Sequence, residues 1–119
     1  MSTVLLVEDD HAISMALATR MEAGGFDVVT AFDAVTAGIK SRQCNPDIAV
    51  LDISMPGGDG FLVAERLRKT GSATLPLIFI TAGKHESLKE RAKEFSPIAF
   101  LEKPFESEAL MLAVNAAAL

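Results

Sequence analysis

The fold is decided by the stretch IAVLDISMPGGDG, residues Ile48–Gly60. Its first part, Ile48–Leu51, is a short apolar run of the kind that forms a buried strand. Asp52 follows where that strand ends, and a loop rich in Pro and Gly comes next. Because a carboxylate has no role in a hydrophobic core, we predict that this strand delivers an acidic group to a functional edge.

A second apolar run, Val4–Val7, also ends in acidic residues, namely Glu8, Asp9 and Asp10. In an open α/β sheet, ligands bind outside the carboxyl ends of the strands. Two strands that both end in carboxylates therefore predict one acidic pocket at that end of the sheet.

Strand-like apolar runs alternate with helical patterns along the chain. Such β-α units, without interruption, predict an α/β fold with a doubly wound, five-stranded parallel sheet that is covered by helices on both faces. The predicted strands are Thr3–Val7, Phe26–Ala31, Ile48–Leu51, Pro76–Ile80 and Ile98–Leu101, and the predicted helices are His11–Ala23, Ala34–Arg42, Asp59–Lys69, Gly83–Phe95 and Glu106–Ala118.

Three elements carry patterns with further consequences. Polar residues within Phe26–Ala31 suit a strand at the sheet edge. Val35 and Ile39 lie four residues apart, which predicts that they form the inner face of their helix. The last helix has a broader apolar stretch than one buried stripe requires, so we expect part of it to dock a partner or a second copy; this stretch contains Leu110, Met111, Leu112 and Val114.

Composition narrows the class of protein. A chain of 119 residues suits one domain, and a net charge of -5 without a basic stripe argues against direct nucleic-acid binding. Cys44 is the single cysteine, which excludes an intramolecular disulfide and favours a reducing compartment. No apolar segment is long enough to span a bilayer. We expect a cytoplasmic protein that does not bind membranes.

Two further strand ends supply polar groups to the predicted pocket. Thr81 follows the fourth strand, and Lys103 lies just beyond the fifth. Glu8, Asp9 and Asp52 together carry three negative charges, which a divalent cation and the ammonium group of Lys103 would balance. Carboxylate ligands without a Cys or His cluster favour Mg²⁺ over a softer metal.

Such a pocket resembles the apparatus for phosphoryl transfer. A metal ion and a lysine neutralise the transferring oxygens, and the hydroxyl of Thr81 offers a hydrogen bond. A carboxylate can itself act as the nucleophile and form an aspartyl phosphate.

At this point the chain resembles the receiver domains of two-component response regulators, a family that includes chemotaxis receivers. The resemblance covers nearly the whole chain, and its motifs follow the family's order and spacing. They are Val7-Glu8-Asp9-Asp10, Leu51-Asp52-x-x-Met55-Pro56-x-x-Asp59-Gly60, Thr81-Ala82 and Lys103-Pro104-Phe105. The resemblance implies a flavodoxin-like sheet of strand order 2-1-3-4-5, with residues 1–119 as a single receiver domain.

The resemblance also implies a role for each residue of the pocket. Asp52 would be the phosphoacceptor, taking a phosphoryl group from a phosphohistidine on a histidine kinase or a histidine phosphotransfer protein. Glu8, Asp9 and Asp52, with the backbone carbonyl of Ser54, would hold Mg²⁺. Such a domain is a signalling switch with slow self-dephosphorylation, rather than a metabolic enzyme.

A second group of residues would carry the response. Lys103 would pair with the phosphoryl oxygens, Thr81 would hydrogen-bond them, and the small Ala82 would leave room for the incoming group. Phosphorylation adds charge and acceptor oxygens. Thr81 would move towards them, and Phe100 would fill the space that Thr81 leaves. The surface of the fourth helix, fifth strand and fifth helix would then control an output protein or an attached output domain.

Several alternatives stay open from the sequence. A pseudo-receiver would keep the fold without the chemistry, and a small phosphatase would use the same aspartate but generally needs an acid where this chain has Ser54. The chain could be a stand-alone receiver or part of a longer regulator, and a weak homodimer is left open. Asp10 is interpreted as a helix cap rather than a ligand. Asp59 and Gly60 are interpreted as structural.

Overall fold

The computed structural model describes residues 2–54, 60–82 and 86–118. Five parallel strands form one sheet in the order β2-β1-β3-β4-β5, as the resemblance implied. This order places the first and third strands side by side at the centre of the sheet. The fold is the expected doubly wound α/β architecture. The strands are β1 Thr3–Val7, β2 Asp27–Ala31, β3 Ile48–Asp52, β4 Leu77–Thr81 and β5 Ala99–Glu102.

The helices agree with the predicted pattern apart from their ends. The fourth predicted helix begins at Glu86 within the described residues and finishes in a 3₁₀ turn, Lys93–Phe95. Gly83 and Asp59, the predicted starts of two helices, lie outside the described residues. The helices are α1 His11–Ala23, α2 Ala34–Cys44, α3 Gly60–Thr70, α4 Glu86–Ala92 and α5 Ser107–Ala118.

The sheet separates two hydrophobic clusters. Helices α1 and α5 pack on one face, where Leu17, Met21 and Leu110 are buried against side chains of the strands. Helices α2, α3 and α4 pack on the other face around Phe61 and Phe79. Since successive side chains of a strand point to opposite faces, one parallel strand supplies both clusters. The buried strands are therefore almost entirely apolar.

Burial falls from the centre of the sheet to its edges. All five residues of β3 and all five of β4 are buried, whereas the four residues of β5 are half-buried. Strand β2 has one buried residue, Ala31, and lies at the opposite edge. The prediction of β2 as an edge strand is confirmed.

The predicted inner face of α2 is wrong. Val35 is 72% exposed and Ile39 is 45% exposed, while the buried residues are Ala37 and Ser41. Small side chains allow a helix axis to approach its neighbours closely, so Ala37 can join the core where a larger residue would hold α2 away. Helical spacing identifies a stripe of apolar residues, but it does not say which stripe the tertiary packing buries.

Most of the broad apolar stretch of α5 belongs to the core, and the expectation that part of it docks a partner or a second copy stays a prediction. Leu110 and Val114 are fully buried, and Met111 is 8% exposed. Leu112 alone of the four is exposed, at 72%. The stretch is broad because α5 buries a wide face against the sheet and α1.

Local signals at the helix ends are largely confirmed. Asp10 caps α1, since its Oδ1 accepts a hydrogen bond of 3.0 Å from the backbone N–H of Ile13. At the end of α1, Gly25 has the positive φ of 96°, whereas the preceding Gly24 has a φ of -82°. A Cβ on Gly60 would lie 2.6 Å from the Cα of Ile53, so this position requires glycine for close packing.

Within the part of the chain that the structure describes, no helix has the length and apolar character needed to cross a bilayer.

Candidate functional site

The carboxyl ends of the central strands bring the predicted polar residues together. Asp52 is the last residue of β3 and lies in register with Ile80 of β4. Thr81 ends β4, and Glu8 directly follows β1. Since β1, β3 and β4 are adjacent in the sheet, these three side chains share one edge.

Lys103 joins this group from beyond β5. Its Nζ lies 2.5 Å from Oε1 of Glu8 and 3.3 Å from Oδ2 of Asp52. The Glu8 side chain is fully buried and that of Asp52 is 3% exposed, so the lysine supplies positive charge where water is largely excluded. The peptide bond between Lys103 and Pro104 is cis.

The two buried acids differ in their proton affinity. Burial, and then the hydrogen bond shared with Asp52, raise the pKa of Glu8 to about 7 against the opposing effect of Lys103. Burial would also raise the pKa of Asp52, but hydrogen bonds from Glu8 and Ser54 and the charge of Lys103 outweigh it and lower that pKa. Asp52 is therefore the ionised member of the pair.

A cation fits beside these acids. One carboxylate oxygen from each of Glu8, Asp9 and Asp52 lies within 4.8 Å of the other two. Asp9 is exposed while the other two acids are buried, so the cluster is open to solvent on one side. Oxygen donors of this kind suit a hard divalent cation that keeps several waters, such as Mg²⁺. The raised pKa of Glu8 shows that the site disfavours a second negative charge, which a bound cation would offset.

Ser54 contributes a hydroxyl that the sequence reasoning did not use. Its Oγ donates a hydrogen bond of 2.6 Å to Oδ1 of Asp52 and accepts one of 3.2 Å from the backbone N–H of Ala82. The backbone N–H of Ser54 also donates to Oδ1, at 2.8 Å. The loops after β3 and β4 are thus linked through the Ser54 hydroxyl, which also holds the predicted phosphoacceptor. Only the spacing of two residues from Asp52 could have drawn attention to this hydroxyl.

Thr81 has a buried side chain without a partner. It is fully buried, and its Oγ1 has no hydrogen-bond partner among the described residues. A buried hydroxyl in this state costs roughly 1–3 kcal/mol, so the Thr81 hydroxyl is available to a ligand or to a second conformation.

The remaining predicted residues are placed as follows. Ala82 is exposed beside Ser54 at the mouth of the site. Phe100 lies in β5 in register with Phe79 and is half-buried. Asp10 is oriented by its capping bond and does not join the carboxylate cluster. Asp59 lies outside the described residues.

One aromatic contact near the acidic loop was not expected. The ring of His11, the residue after Asp10, stacks on Phe32 with 3.9 Å between centroids and an interplanar angle of 7°. Nothing in the sequence relates these two residues, because the contact depends on how the β1 and β2 ends lie together.

Comparison with known proteins gives the class that this fold and site define. Residues 4–115 match the family model described as the response regulator receiver domain. The chain belongs to that family, the receiver domains of two-component response regulators.

Individual relatives agree with this assignment. The DNA-binding dual master transcriptional regulator RpaA of Synechocystis is 32% identical over 117 residues, covering 98% of this chain and 48% of RpaA. The C4-dicarboxylate transport transcriptional regulatory protein DctD of Pseudomonas aeruginosa is 37% identical, covering 96% of this chain and 24% of DctD. The chain spans about half or less of these curated relatives.

Solved structures show the same architecture. The chemotaxis protein CheY4 of Vibrio cholerae matches with a TM-score of 0.90 and 25% identity, covering 98% of each chain. The non-phosphorylated receiver domain of HemR from Leptospira biflexa matches with a TM-score of 0.88 and 30% identity, covering 98% of this chain and 94% of HemR's.

Proposed function

We propose that this chain is a phosphorylation-controlled switch that accepts a phosphoryl group on Asp52. The observation that carries the proposal is the environment of that carboxylate. Asp52 is buried, its pKa is lowered by the balance of hydrogen bonds and charge against burial, and Lys103 lies 3.3 Å away. An ionised, dehydrated carboxylate beside a fixed cation is a suitable nucleophile for phosphorus.

The transfer would proceed from a phosphohistidine of a histidine kinase or a histidine phosphotransfer protein. An oxygen of Asp52 attacks phosphorus, the P–N bond breaks, and the electron pair leaves with the imidazole nitrogen. The products are an aspartyl phosphate and a neutral histidine once a solvent proton balances the charge. Lys103 would stabilise the negative charge of the phosphoryl oxygens during this displacement.

Glu8, Asp9 and Asp52 would hold Mg²⁺ together with the backbone carbonyl of Ser54. When bound, the cation supplies neutralising charge to the phosphoryl oxygens. This chain's own residues do the positioning: Ser54 fixes one oxygen of Asp52 through two hydrogen bonds of 2.6 and 2.8 Å. That restraint holds the carboxylate in one orientation before a donor arrives.

The response would start at Thr81. Its buried hydroxyl has no partner among the described residues, so a new set of acceptor oxygens on Asp52 would attract it. Phe100 lies in the adjacent strand and lines a depression of about 340 Å³ between α4, the 3₁₀ turn and β5. Movement of Thr81 would give the Phe100 ring a second packing position, and α4, β5 and α5 would present the changed surface to an output protein or domain.

We do not propose a turnover enzyme. A phosphatase with an aspartate nucleophile generally uses an acid two residues further on. Here Ser54 occupies that position, and its hydroxyl donates a hydrogen bond to Asp52. Slow self-dephosphorylation would act as the timer of the switch. Hydrolysis of small phosphate esters over many turnovers would contradict this part of the proposal.

The phosphoacceptor role is tested by intact-mass spectrometry after incubation with acetyl phosphate and Mg²⁺. We expect one phosphoryl adduct that disappears when the cation is chelated and in Asp52→Asn. Asp47→Asn is the matched control, because Asp47 accepts a hydrogen bond from the backbone N–H of Thr3, away from the site. An unchanged adduct in Asp52→Asn would contradict the proposal.

A negative result with acetyl phosphate would be followed by a phosphohistidine donor, such as a phosphorylated phosphotransfer protein. Failure with both donors, in a protein with a native circular dichroism spectrum, would favour the pseudo-receiver alternative.

The switch is tested separately with Thr81→Val and Thr81→Ser. Serine keeps the hydroxyl and valine removes it at similar volume. We expect phosphorylation to shift the aromatic NMR resonances of Phe100 in the wild type and in Thr81→Ser, and to leave them in place in Thr81→Val. Equal shifts in all three proteins would contradict the role of the hydroxyl.

A further inference from the structure

The groove between α2 and α3 has the composition of a binding surface. It has a volume of about 580 Å³, and Val35, Gly38, Ile39 and Val63 contribute to its walls. Val35 is 72% exposed and Ile39 is 45% exposed, although both lie on a helix with good helical spacing. Because α2 packs against the core through its other face, these two branched apolar side chains stay in contact with water.

The rim of this groove is positively charged. Arg42 and Arg66 both line it, and no Asp or Glu does, in a chain that has 16 acidic residues and a net charge of -5. Both arginines are exposed, and neither guanidinium makes an ion pair within the described ranges. An apolar floor beneath two unpaired cations is complementary to an apolar segment that carries carboxylates.

Gly38 keeps the floor of the groove low. A Cβ built on Gly38 would meet only Nη1 of Arg42, at 3.9 Å, so a side chain there would enter the groove without a clash. Glycine inside a helix costs roughly 0.5–1 kcal/mol relative to alanine. The stability of α2 alone gives no reason for it.

We propose that the α2–α3 groove, defined as the surface lined by Val35, Gly38, Ile39, Val63, Arg42 and Arg66, binds an acidic amphipathic segment of a partner protein. Such a segment would lay a row of apolar side chains between the helices and place its Glu or Asp residues against the two arginines. This is the helix-in-groove mode, with anchors at i, i+3, i+4 and i+7.

Two other occupants fit the same surface less well. In a symmetric dimer this groove would face the same groove of the second copy. The arginines of the two copies would then lie close together and repel each other. A membrane surface is broad and flat, and a concave groove presents less apolar surface to a bilayer than a convex helix does. The facing arginines disfavour a second copy and the concave shape disfavours a bilayer, so a peptide segment fits best.

The groove is independent of the proposed phosphoacceptor. None of its lining residues belongs to the cluster of Glu8, Asp9, Asp52 and Lys103. Segment binding should therefore persist in Asp52→Asn, and failure of one proposal leaves the other untouched.

The test uses synthetic peptides of about 15 residues, long enough to form helix on the protein. The probe carries Leu at the four anchor positions and Glu beside them. One matched peptide replaces each Glu by Lys, and another replaces each Leu by Ser. Binding is followed by the amide NMR shifts of the full chain at increasing peptide concentration and at two salt concentrations.

We expect saturable shifts centred on α2 and α3 with the Glu peptide, and binding that weakens at high salt. The Lys and Ser peptides should bind at least about tenfold more weakly, a difference of about 1.4 kcal/mol. The double variant Arg42→Glu, Arg66→Glu should reverse the preference in favour of the Lys peptide.

Gly38→Leu distinguishes a blocked groove from a damaged fold. Leucine raises helix propensity and fills the groove, so binding should fall at least about tenfold while the melting temperature stays equal or rises. Equal binding of the Glu and Lys peptides, shifts outside the groove, or unchanged binding by Gly38→Leu would overturn the proposal. So would groove shifts caused by protein concentration alone or by phosphatidylglycerol vesicles, since these would identify a different occupant.

Discussion

Strands β4 and β5 are neighbours in the sheet and carry adjacent parts of the site, yet they differ in burial. All five residues of β4 are buried, whereas all four residues of β5 are half-buried at the sheet edge. Thr81 ends the first of these strands, and Phe100 lies within the second. This difference in burial indicates that β5 repacks more readily than β4, since local stability follows the density of buried contacts.

The connections at the two ends of β5 limit how far it can move. At its end, Lys103 bridges to Glu8 and Asp52. Ahead of its start, Arg68 of α3 ties the 3₁₀ turn to the segment before β4, because it donates hydrogen bonds to the carbonyl of Leu75 and, at 2.6 Å, to that of Phe95. The middle of β5, where Phe100 lies, therefore has the greatest freedom to repack.

The comparison is tested most strongly by removing one phenyl ring from each strand. Phe79 is fully buried and contacts the rings of Phe61 and Phe95 at centroid distances of 5.2 and 5.7 Å. We expect Phe79→Ala to lower the free energy of unfolding by about 3–5 kcal/mol. Phe100→Ala should cost about 1–2 kcal/mol because that ring is half-buried. Urea denaturation measures both, and equal losses would contradict the difference between the strands.

Removing the Arg68 link should have the next largest effect. Arg68→Met leaves the carbonyls of Leu75 and Phe95 without these hydrogen bonds, so we expect a loss of about 1–3 kcal/mol. Hydrogen exchange should also accelerate in the 3₁₀ turn and at the start of β5. Arg66→Met is the matched control, since the Arg66 guanidinium makes no hydrogen bond among the described residues. Equal effects of the two variants would show that the link contributes nothing.

Ser96 offers a smaller, stabilising change at the entry to β5. It ends the 3₁₀ turn with a φ of 47°, in the left-handed region that costs a residue with a Cβ roughly 1 kcal/mol or more. Ser96→Gly should therefore raise the free energy of unfolding by up to about 1 kcal/mol. Asn45→Gly is the control, because Asn45 has a φ of 45° and asparagine tolerates this conformation better. A loss of stability in Ser96→Gly would contradict this reading of the turn.

The smallest predicted effect concerns β2, the opposite edge of the sheet. Asp33 caps α2 after β2, and the hydrogen bond from the backbone N–H of Thr36, at 2.7 Å, lowers the pKa of Asp33 below its ordinary 3.8. Because the folded pKa is lowered, this stabilisation is present above the unfolded pKa and is lost as pH falls through the folded value. The melting-temperature advantage of the wild type over Asp33→Asn should shrink below about pH 4. A difference that stays constant with pH would contradict it.

Much of the fold follows from local sequence signals. Apolar runs that end in Asp52 and in Glu8 placed the buried strands correctly, because strands buried on both faces contain little else. Asp10 was predicted correctly as a helix cap because the hydrogen bond that its side chain accepts comes from Ile13, which lies within the next turn. The strand order depends on contacts between distant strands and came from the family resemblance.

The wrongly predicted face of α2 and the uneven burial of α5 have a common physical cause. Val35 and Ile39 form a regular stripe, but the sheet and α3 accept the smaller face of α2 that contains Ala37. Leu112 lies in the same apolar run as Leu110, and only packing against the sheet and α1 separates the buried residue from the exposed one. Such choices depend on tertiary contacts rather than on local pattern.

The candidate site was predictable in its residues but not in its hydrogen bonds. The motifs identified Asp52, Thr81 and Lys103 because each lies at or beyond a strand end. The hydroxyl of Ser54 between Asp52 and Ala82 depends on the relative position of two loops, and no sequence pattern specifies that.

The most direct test of the account is to locate the phosphoryl group within the chain. After phosphorylation with Mg²⁺ and borohydride reduction, which converts an acyl phosphate into an alcohol, cleavage at Lys and Arg separates the candidate acids. Asp52 falls in the peptide Gln43–Arg66, and Glu8 and Asp9 fall in Met1–Arg20. The account predicts the reduced side chain at Asp52 alone. A reduced side chain in Met1–Arg20, or elsewhere in Gln43–Arg66, would contradict it.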